Sequence, residues 1–160
     1  KGLLFTAGIS FAPNLVFSQK QDKPAAIDAK IVKEFVGVSH SDFGKVKEFI
    51  NEHPLLLNAS WDWGGGDFET GIGAAAHVGN KEIVNFLLSL GARTDIFVLT
   101  MLGKTDIVKA LLKAYPNLLN SIGPHGFTLF HHAEKGGKDA EKLLNHFKKL
   151  GLTEKLIKLK

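Results

Sequence analysis

Apolar residues in the middle of the chain recur with the spacing of one helical face. Ile83 and Val84 are followed by Leu87 and Leu88, which places apolar side chains at i, i+1, i+4 and i+5. This spacing matches one side of a helix with about 3.6 residues per turn. The same set recurs later in the chain and, in part, earlier, as Ile107, Val108, Leu111 and Leu112, and as Val46, Phe49 and Ile50. The pattern therefore predicts amphipathic helices that are copies of one unit.

A second repeated segment indicates the same alignment of the units. The segment His53–Asn58 ends in Pro-Leu-Leu-Leu-Asn, and Tyr115–Asn120 ends in Pro-Asn-Leu-Leu-Asn. The offset between these two segments equals the sum of the two offsets between the apolar sets. A further shift, close to one whole unit, relates Gly103 to Gly136. The chain is therefore predicted to contain four units of two short helices each, which is enough repeats to bury a continuous core.

Residue types at the predicted helix ends agree with this division. Gly91 is placed to end a helix in the left-handed conformation. Proline forbids a helix to continue, and it follows the second helix of two units as Pro54 and Pro116. Three residues stand where a second helix should begin and can cap its free N–H groups: Asp42, Asn80 and Thr105.

The C-terminal segment is lysine-rich and is predicted to be a capping helix. Residues 148–160 carry five lysines and one glutamate, a net charge equal to the +4 of the whole chain. Within Thr153–Leu159, Leu156 and Ile157 fall on one helical face beside Leu152, so the lysines are expected to face solvent. The rest of the chain is close to neutral, and no nucleic-acid partner is expected.

The second unit resembles the ankyrin repeat. Residues 70–92 read TGIGAAAHVGNKEIVNFLLSLGA and follow nearly the whole repeat pattern, with Gly71 and Gly73 where the family usually has proline and histidine. Residues 126–131 read GFTLFH and keep the glycine, threonine and histidine. The third unit is about nine residues shorter than the family's repeat of roughly 33, so its projecting turn is expected to be missing. The resemblance covers residues 28–150. With its glycine-rich insert and short third unit, this set of repeats is similar to a bacterial exported ankyrin subgroup.

This resemblance implies an all-α fold, an ankyrin-type helical-repeat solenoid of about four helix pairs with a C-terminal capping helix. It implies a protein-binding module that contacts an unidentified protein partner through the inter-repeat turns and first helices, and that is not an enzyme. It also implies that His131 makes a structural hydrogen bond to the preceding turn. No cofactor is expected, and the oligomeric state is left open. A structural adaptor for self-assembly is an alternative.

The N-terminal residues are expected to lie outside this domain. Residues 2–17 carry no charge, and the run is short for a membrane span, which needs about 20 apolar residues. It suits the apolar part of an export signal cut after Ser18. We therefore expect an export signal over 1–18, a polar linker over 19–27 and the repeat domain over 28–160. Export would place the protein in the periplasm, with no stable membrane span after signal removal. The alternative is a buried first element in a cytoplasmic protein.

The least repeat-like segment is the glycine-rich insert between the first two units, residues 61–69. It contains both tryptophans of the chain, and rigid aromatic rings beside flexible glycines are typical of contact loops. The alternative is that the tryptophans pack back onto the neighbouring unit. A second unusual turn, residues 123–127, precedes the fourth unit. The residues predicted to bind a partner are Trp61, Asp62, Trp63, Asp67, Glu69, His125 and Phe127.

The sequence gives little support for disulfides, acid–base catalysis or metal binding. With no cysteine, disulfides and thiolate sites are excluded. Asp67 and Glu69 could form an acid–base pair, so a small hydrolase or carbohydrate-binding pocket on the Trp61–Glu69 loop is the alternative function. His131 and His132 are adjacent and point about 100° apart on a helix, which disfavours shared metal binding. His77 has no identifiable partner. No catalytic residue and no metal site are therefore predicted.

Overall fold

A computed structural model describes residues 25–159 and places them in consecutive pairs of short helices. The predicted export segment 1–18 and most of the linker lie outside the described residues. The helices are α1 (Ala29–Val38), α2 (Phe43–Glu52), α3 (Gly71–Val78), α4 (Lys81–Ser89), α5 (Ile96–Met101), α6 (Thr105–Ala114), α7 (Leu129–Gly136) and α8 (Glu141–Lys149). Single 3₁₀ turns cover Pro54–Asn58, Pro116–Asn120, Pro124–Gly126 and Gly137–Ala140. The predicted predominance of helix is confirmed.

A small antiparallel hairpin interrupts the helices between α2 and α3. Strands β1 (Ser60–Asp62) and β2 (Phe68–Thr70) pair so that Trp61 lies opposite Glu69. The glycines of the insert form the tight connection. No comparable hairpin forms between α4 and α5, where residues 90–95 make a short turn, in keeping with the shortened third unit.

Most of the predicted helix boundaries are confirmed, with one exception. The carboxylate of Asp42 accepts a hydrogen bond from Lys45 N (2.9 Å), and Asn80 Oδ1 accepts one from Ile83 N (3.2 Å), so both residues cap their helices. Thr105 is not a cap. It is the first helical residue of α6, and Lys104 occupies the cap position instead. The Thr105 hydroxyl donates to the carbonyl of Gly103 (3.3 Å).

The first helices of successive pairs pack against one another, α1 on α3, α3 on α5 and α5 on α7. Ala74, Ala75 and Ala76 are fully buried, and their small side chains permit this close approach. At Gly71, where the ankyrin pattern has proline, a Cβ atom would lie 2.7 Å from the Phe35 ring. Helix α5 has six residues, and α3 also contacts α7 directly. This contact brings the α3–α4 pair beside the α7–α8 pair.

The predicted C-terminal capping helix is wrong. Helix α8 ends before Gly151, which has a φ of 82°, and residues 152–159 form no helix. The tail instead runs back along the turn before α7, where Leu156 forms an antiparallel bridge with Phe127 and Ile157 N donates to the carbonyl of Gly126 (2.9 Å). So short a helix is marginal by itself, whereas the turn offers unpaired backbone groups.

Replacing Gly103 by alanine is expected to be far more costly than the same change at Gly91. Both glycines have left-handed φ angles, 67° and 88°, so both variants carry the strain of a Cβ there, about 1–2 kcal/mol. At Gly103 the new Cβ would also overlap the carbonyl of Asp139, whereas nothing lies within 4 Å of it at Gly91. Denaturant unfolding should show an additional loss of about 2 kcal/mol for Gly103→Ala. Equal losses for the two variants would contradict this packing.

Acid is expected to destabilise the fold through His132. Burial, opposed by the hydrogen bond to the Thr128 carbonyl, lowers the pKa of His132 to about 4 from an ordinary value of 6.5. As the pH falls from 6.5 to 4, the unfolded chain takes up a proton that the folded chain refuses, so about 3 kcal/mol of stability is lost. His132→Asn keeps a donor without the titration. Its unfolding free energy should depend less on pH in this window, and an unchanged dependence would contradict the assignment.

Candidate functional site

The hairpin between α2 and α3 carries most of the predicted site residues, and its loop is shaped by Asp62. The exposed carboxylate of Asp62 accepts hydrogen bonds from Gly64 N (2.8 Å) and Gly66 N (3.1 Å). Trp61 lies half-buried against the hydrophobic core that includes Phe35 and Val36, with the Lys33 ammonium 5.7 Å from its ring centroid. Trp61 and Asp62 therefore hold the hairpin in shape and take no part in the cluster described next.

Glu69 on β2 is a buried carboxylate surrounded by nitrogen atoms. Its side chain is inaccessible to solvent. The indole N–H of Trp63 donates to Glu69 Oε2 (2.8 Å), and His77 Nδ1 lies 2.9 Å from Glu69 Oε1. Nε2 atoms of two further histidines lie near Oε2, that of His125 at 3.4 Å and that of His40 at 3.6 Å. One carboxylate thus contacts four side chains from separate segments.

The three histidines reach Glu69 from different parts of the chain. His40 lies in the turn after α1, His77 in the last turn of α3, and His125 in the turn before α7. His125 can contact the hairpin because α3, which follows the hairpin, and α7, which follows the turn of His125, pack against each other directly. These three histidines and Glu69 form what we call the histidine–glutamate cluster.

Asp67 fixes the position of His125. Its carboxylate accepts the backbone N–H of His125 (2.8 Å) and lies 2.7 Å from the Nδ1 atom of the same residue. His125 has a φ of 59°, a left-handed conformation that is unusual for a residue other than glycine. The two hydrogen bonds offset that strain and turn Nε2 toward Glu69.

The environment of Glu69 favours its ionised form. Burial by itself would raise the pKa of this carboxyl. The close contact and charge of His77, the hydrogen bond from Trp63 and the charge of His40 together outweigh burial and hold the pKa of Glu69 below its usual value. The cluster is therefore built around a carboxylate rather than a neutral acid.

Aromatic rings close the inner side of the cluster. Phe127 stacks on His131 with ring centroids 4.0 Å apart, and its ring lies 5.1 Å from that of His77. The Nε2 atom of His131 lies 2.8 Å from the backbone carbonyl of His77, to which it donates. Its acceptor thus belongs to α3 and not to the preceding turn, where the ankyrin resemblance placed it. Burial lowers the pKa of His131, which favours the neutral ring in this structural role.

The structure brings together five of the seven residues predicted to bind a partner: Trp63, Asp67, Glu69, His125 and Phe127. It leaves Trp61 and Asp62 outside the cluster, and it adds two histidines that the sequence analysis missed or set aside, His40 and His77. The separation of these two histidines is nearly the same as that of Val46 and Val84, which relates the first two units. That near-equivalence was the available signal, since both histidines follow or end the first helix of neighbouring units.

No protein-family model, curated protein or solved structure matches this chain. Within residues 25–159, the helices are too short or too polar to cross a membrane.

Trp63→Phe is expected to lower the free energy of unfolding by about 1.5–3 kcal/mol near neutral pH, because it removes a donor from a buried carboxylate. The same loss raises the pKa of Glu69. The difference from the unchanged protein should therefore shrink as the pH falls and Glu69 becomes protonated. Chemical denaturation over a pH series measures both effects.

Trp61→Phe is the matched control because it removes the other indole and leaves the donor to Glu69 in place. Its effect on stability should not depend on the protonation of Glu69. Each variant also leaves a single fluorescent indole. Trp63 is 38% exposed and should be quenched by iodide more readily than half-buried Trp61. Equal pH dependence of the two variants would contradict the role of Trp63.

Proposed function

We propose that the chain is a protein-binding, ankyrin-type helical-repeat module that contacts its partner through the inter-unit turns. Consecutive helix pairs with adjoining first helices, together with the internal sequence echoes, support the repeat assignment. The resemblance of residues 70–92 to the ankyrin repeat supports a binding role. Export to the periplasm is part of the same proposal, and it depends on the segment 1–18.

The proposed binding surface is supported by one observation. Apolar side chains are exposed around a groove between the turns. Phe68 on the hairpin is 61% exposed, and Ile122 in the turn before the fourth unit is 44% exposed. Both line a groove of about 290 Å³, which Phe97 and Leu159 also border. Exposed apolar side chains that converge on one concavity are typical of binding surfaces.

The groove joins segments that are distant in sequence. Its walls come from the hairpin, the turn before α5, the turn before α7 and the C-terminal tail. Asp67 also borders it and is held by His125, and the Asp95 carboxylate accepts hydrogen bonds from Phe97 N and Val98 N (both 2.9 Å). The walls are therefore firmly positioned, which limits the entropy lost on binding. We propose an extended protein segment with one apolar anchor as the occupant.

The alternative of a hydrolase or carbohydrate pocket has less support. An acid–base residue must reach the substrate, whereas the Glu69 side chain is inaccessible and already contacts Trp63 and His77. Asp67 is likewise engaged twice by His125. The carboxylates of the loop have structural partners, so the exposed apolar groove is the better candidate surface.

Site-specific photo-crosslinking in the native host is expected to identify the partner. A photoreactive phenylalanine analogue at position 68 or 122 should yield an adduct with the same protein, because both positions face one groove. The matched controls are exposed apolar positions that do not border the groove, Leu90 and Ile107. Adducts that are the same at all four positions, or none at 68 and 122, would contradict the proposed surface.

Once the partner is identified, Phe68→Ala should weaken its binding by about tenfold or more, as expected for an aromatic contact at an interface centre. The unfolding free energy should change little because the side chain is largely exposed. Titration calorimetry and thermal unfolding measure the two effects. A loss of stability with unchanged affinity would assign Phe68 a packing role instead.

A further inference from the structure

We propose that the histidine–glutamate cluster binds a divalent first-row transition-metal ion of the zinc class. His40, Glu69, His77 and His125 each offer one ligand atom, and these four atoms all lie within 4.8 Å of one another. Among the residues described, this is the group that brings potential ligands together from four separate segments. The inference goes beyond the proposed protein-binding role, and its four ligands are different residues from those that line the groove.

The hydrogen bonds around the cluster turn ring nitrogens inward. His40 Nδ1 lies 2.9 Å from the carbonyl oxygen of Gly37, so this nitrogen carries a proton and donates. Asp67 engages His125 Nδ1 in the same way at 2.7 Å. When these imidazoles are neutral, the other nitrogen of each ring is an acceptor, so both Nε2 atoms then present lone pairs toward the Glu69 carboxylate. Acceptors facing a carboxylate repel it unless a proton or a cation lies between them.

Two buried atoms at the centre of the cluster have no hydrogen bond. Glu69 Oε1 and His77 Nδ1 lie 2.9 Å apart, yet neither meets the geometry of a hydrogen bond with any partner. The Glu69 side chain is inaccessible, and that of His77 is only 7% exposed. Buried polar atoms without partners are rare in folded proteins because desolvation costs free energy. A metal ion would satisfy both atoms.

The spacing suits tetrahedral coordination after small side-chain adjustments. Zinc bonds nitrogen and oxygen at about 2.0–2.2 Å, which places neighbouring ligands of a tetrahedron roughly 3.4 Å apart. Glu69 Oε1 lies 2.9 Å from His77 Nδ1, whereas Glu69 Oε2 lies 3.4 Å from His125 Nε2 and 3.6 Å from His40 Nε2. All four ligand atoms lie within 4.8 Å of one another, so modest side-chain movements would bring them to tetrahedral spacing.

The ligand types select the metal class. Three imidazoles and one carboxylate suit zinc, copper or nickel, whereas magnesium and calcium prefer oxygen alone. The contact of Asp67 with His125 is the carboxylate–histidine arrangement that orients ligands in metal sites. The backbone carbonyl of Gly37 gives His40 the same support.

Four protein ligands fill a tetrahedral shell, so the ion would act structurally. It would tie the turn after α1, the hairpin, α3 and the turn before α7 to one point. His40 and His125 are 27% and 31% exposed, which gives the ion a path from solvent. Such a cross-link would hold the hairpin and the turn in a fixed relation.

Metal titration of the full, untagged chain after chelator treatment tests the proposal. Zn²⁺ should bind with one-to-one stoichiometry in calorimetry and raise the thermal midpoint by several degrees, since it binds only the folded state. Co²⁺ should give the intense visible absorption of tetrahedral cobalt. Mg²⁺ and Ca²⁺ should have neither effect. Absence of stoichiometric Zn²⁺ binding would overturn the proposal and assign the inward nitrogens to protonated imidazoles paired with Glu69.

Ligand variants locate the site. Glu69→Gln, His40→Gln and His125→Asn should each weaken Zn²⁺ binding by at least about a hundredfold, and asparagine suits the left-handed backbone at position 125. Asp67→Asn should weaken it by about 10–100-fold through loss of orientation. The matched control is His146→Gln on α8, outside the cluster. Binding that survives the cluster variants would overturn the assignment.

Nuclear magnetic resonance of the unaltered chain locates the site even if a variant fails to fold. Zn²⁺ should shift the imidazole signals of His40, His77 and His125 and leave those of His53 and His146 in place. Shifts confined to other histidines would overturn the site. These measurements need no protein partner, so failure of metal binding and failure of the groove proposal are distinguishable.

Discussion

The buried carboxylate of Glu69 is the constraint on which the arrangement of this site depends. A carboxylate without solvent must be compensated by donors or cations, because its desolvation otherwise costs several kcal/mol. Here that compensation comes from Trp63 on the hairpin, His77 on α3, and His40 and His125 in two turns. Misplacing any of these segments would leave the charge uncompensated, so one side chain couples four parts of the fold.

The short connection between α4 and α5 accompanies this convergence. Residues 90–95 form no hairpin there, and the β1–β2 hairpin contacts the turn before α7. His125 reaches Asp67 and Glu69 although Asp67 and His125 are 58 positions apart in the sequence. The direct packing of α3 on α7 and the contact of His131 with the His77 carbonyl follow from the same proximity.

The cluster and the groove share structural supports but offer different chemistry. Asp67 borders the groove while orienting His125, so the position of the groove wall is linked to that of the cluster. Phe68 points to solvent, whereas its neighbour Glu69 is buried, as the alternation of side chains along a strand requires. One short strand thus presents an apolar contact to the outside and a carboxylate to the inside.

The helices could be predicted from sequence because apolar spacing, caps such as Asp42 and Asn80, and the glycine at position 91 act over short stretches of chain. The hairpin and the turn at His125 could also be singled out, since both depart from the repeat pattern. The near-equivalent positions of His40 and His77 in the sequence did not indicate their shared partner, because each histidine meets Glu69 only through the packing of separate segments. The tail departs from the predicted helix for a similar reason. The helical preference of its apolar spacing is outweighed when the backbone pairs with a distant turn. The convergence of His40 and His125 on one carboxylate was decided by tertiary structure alone, because only the packing of the helices brings such distant segments together.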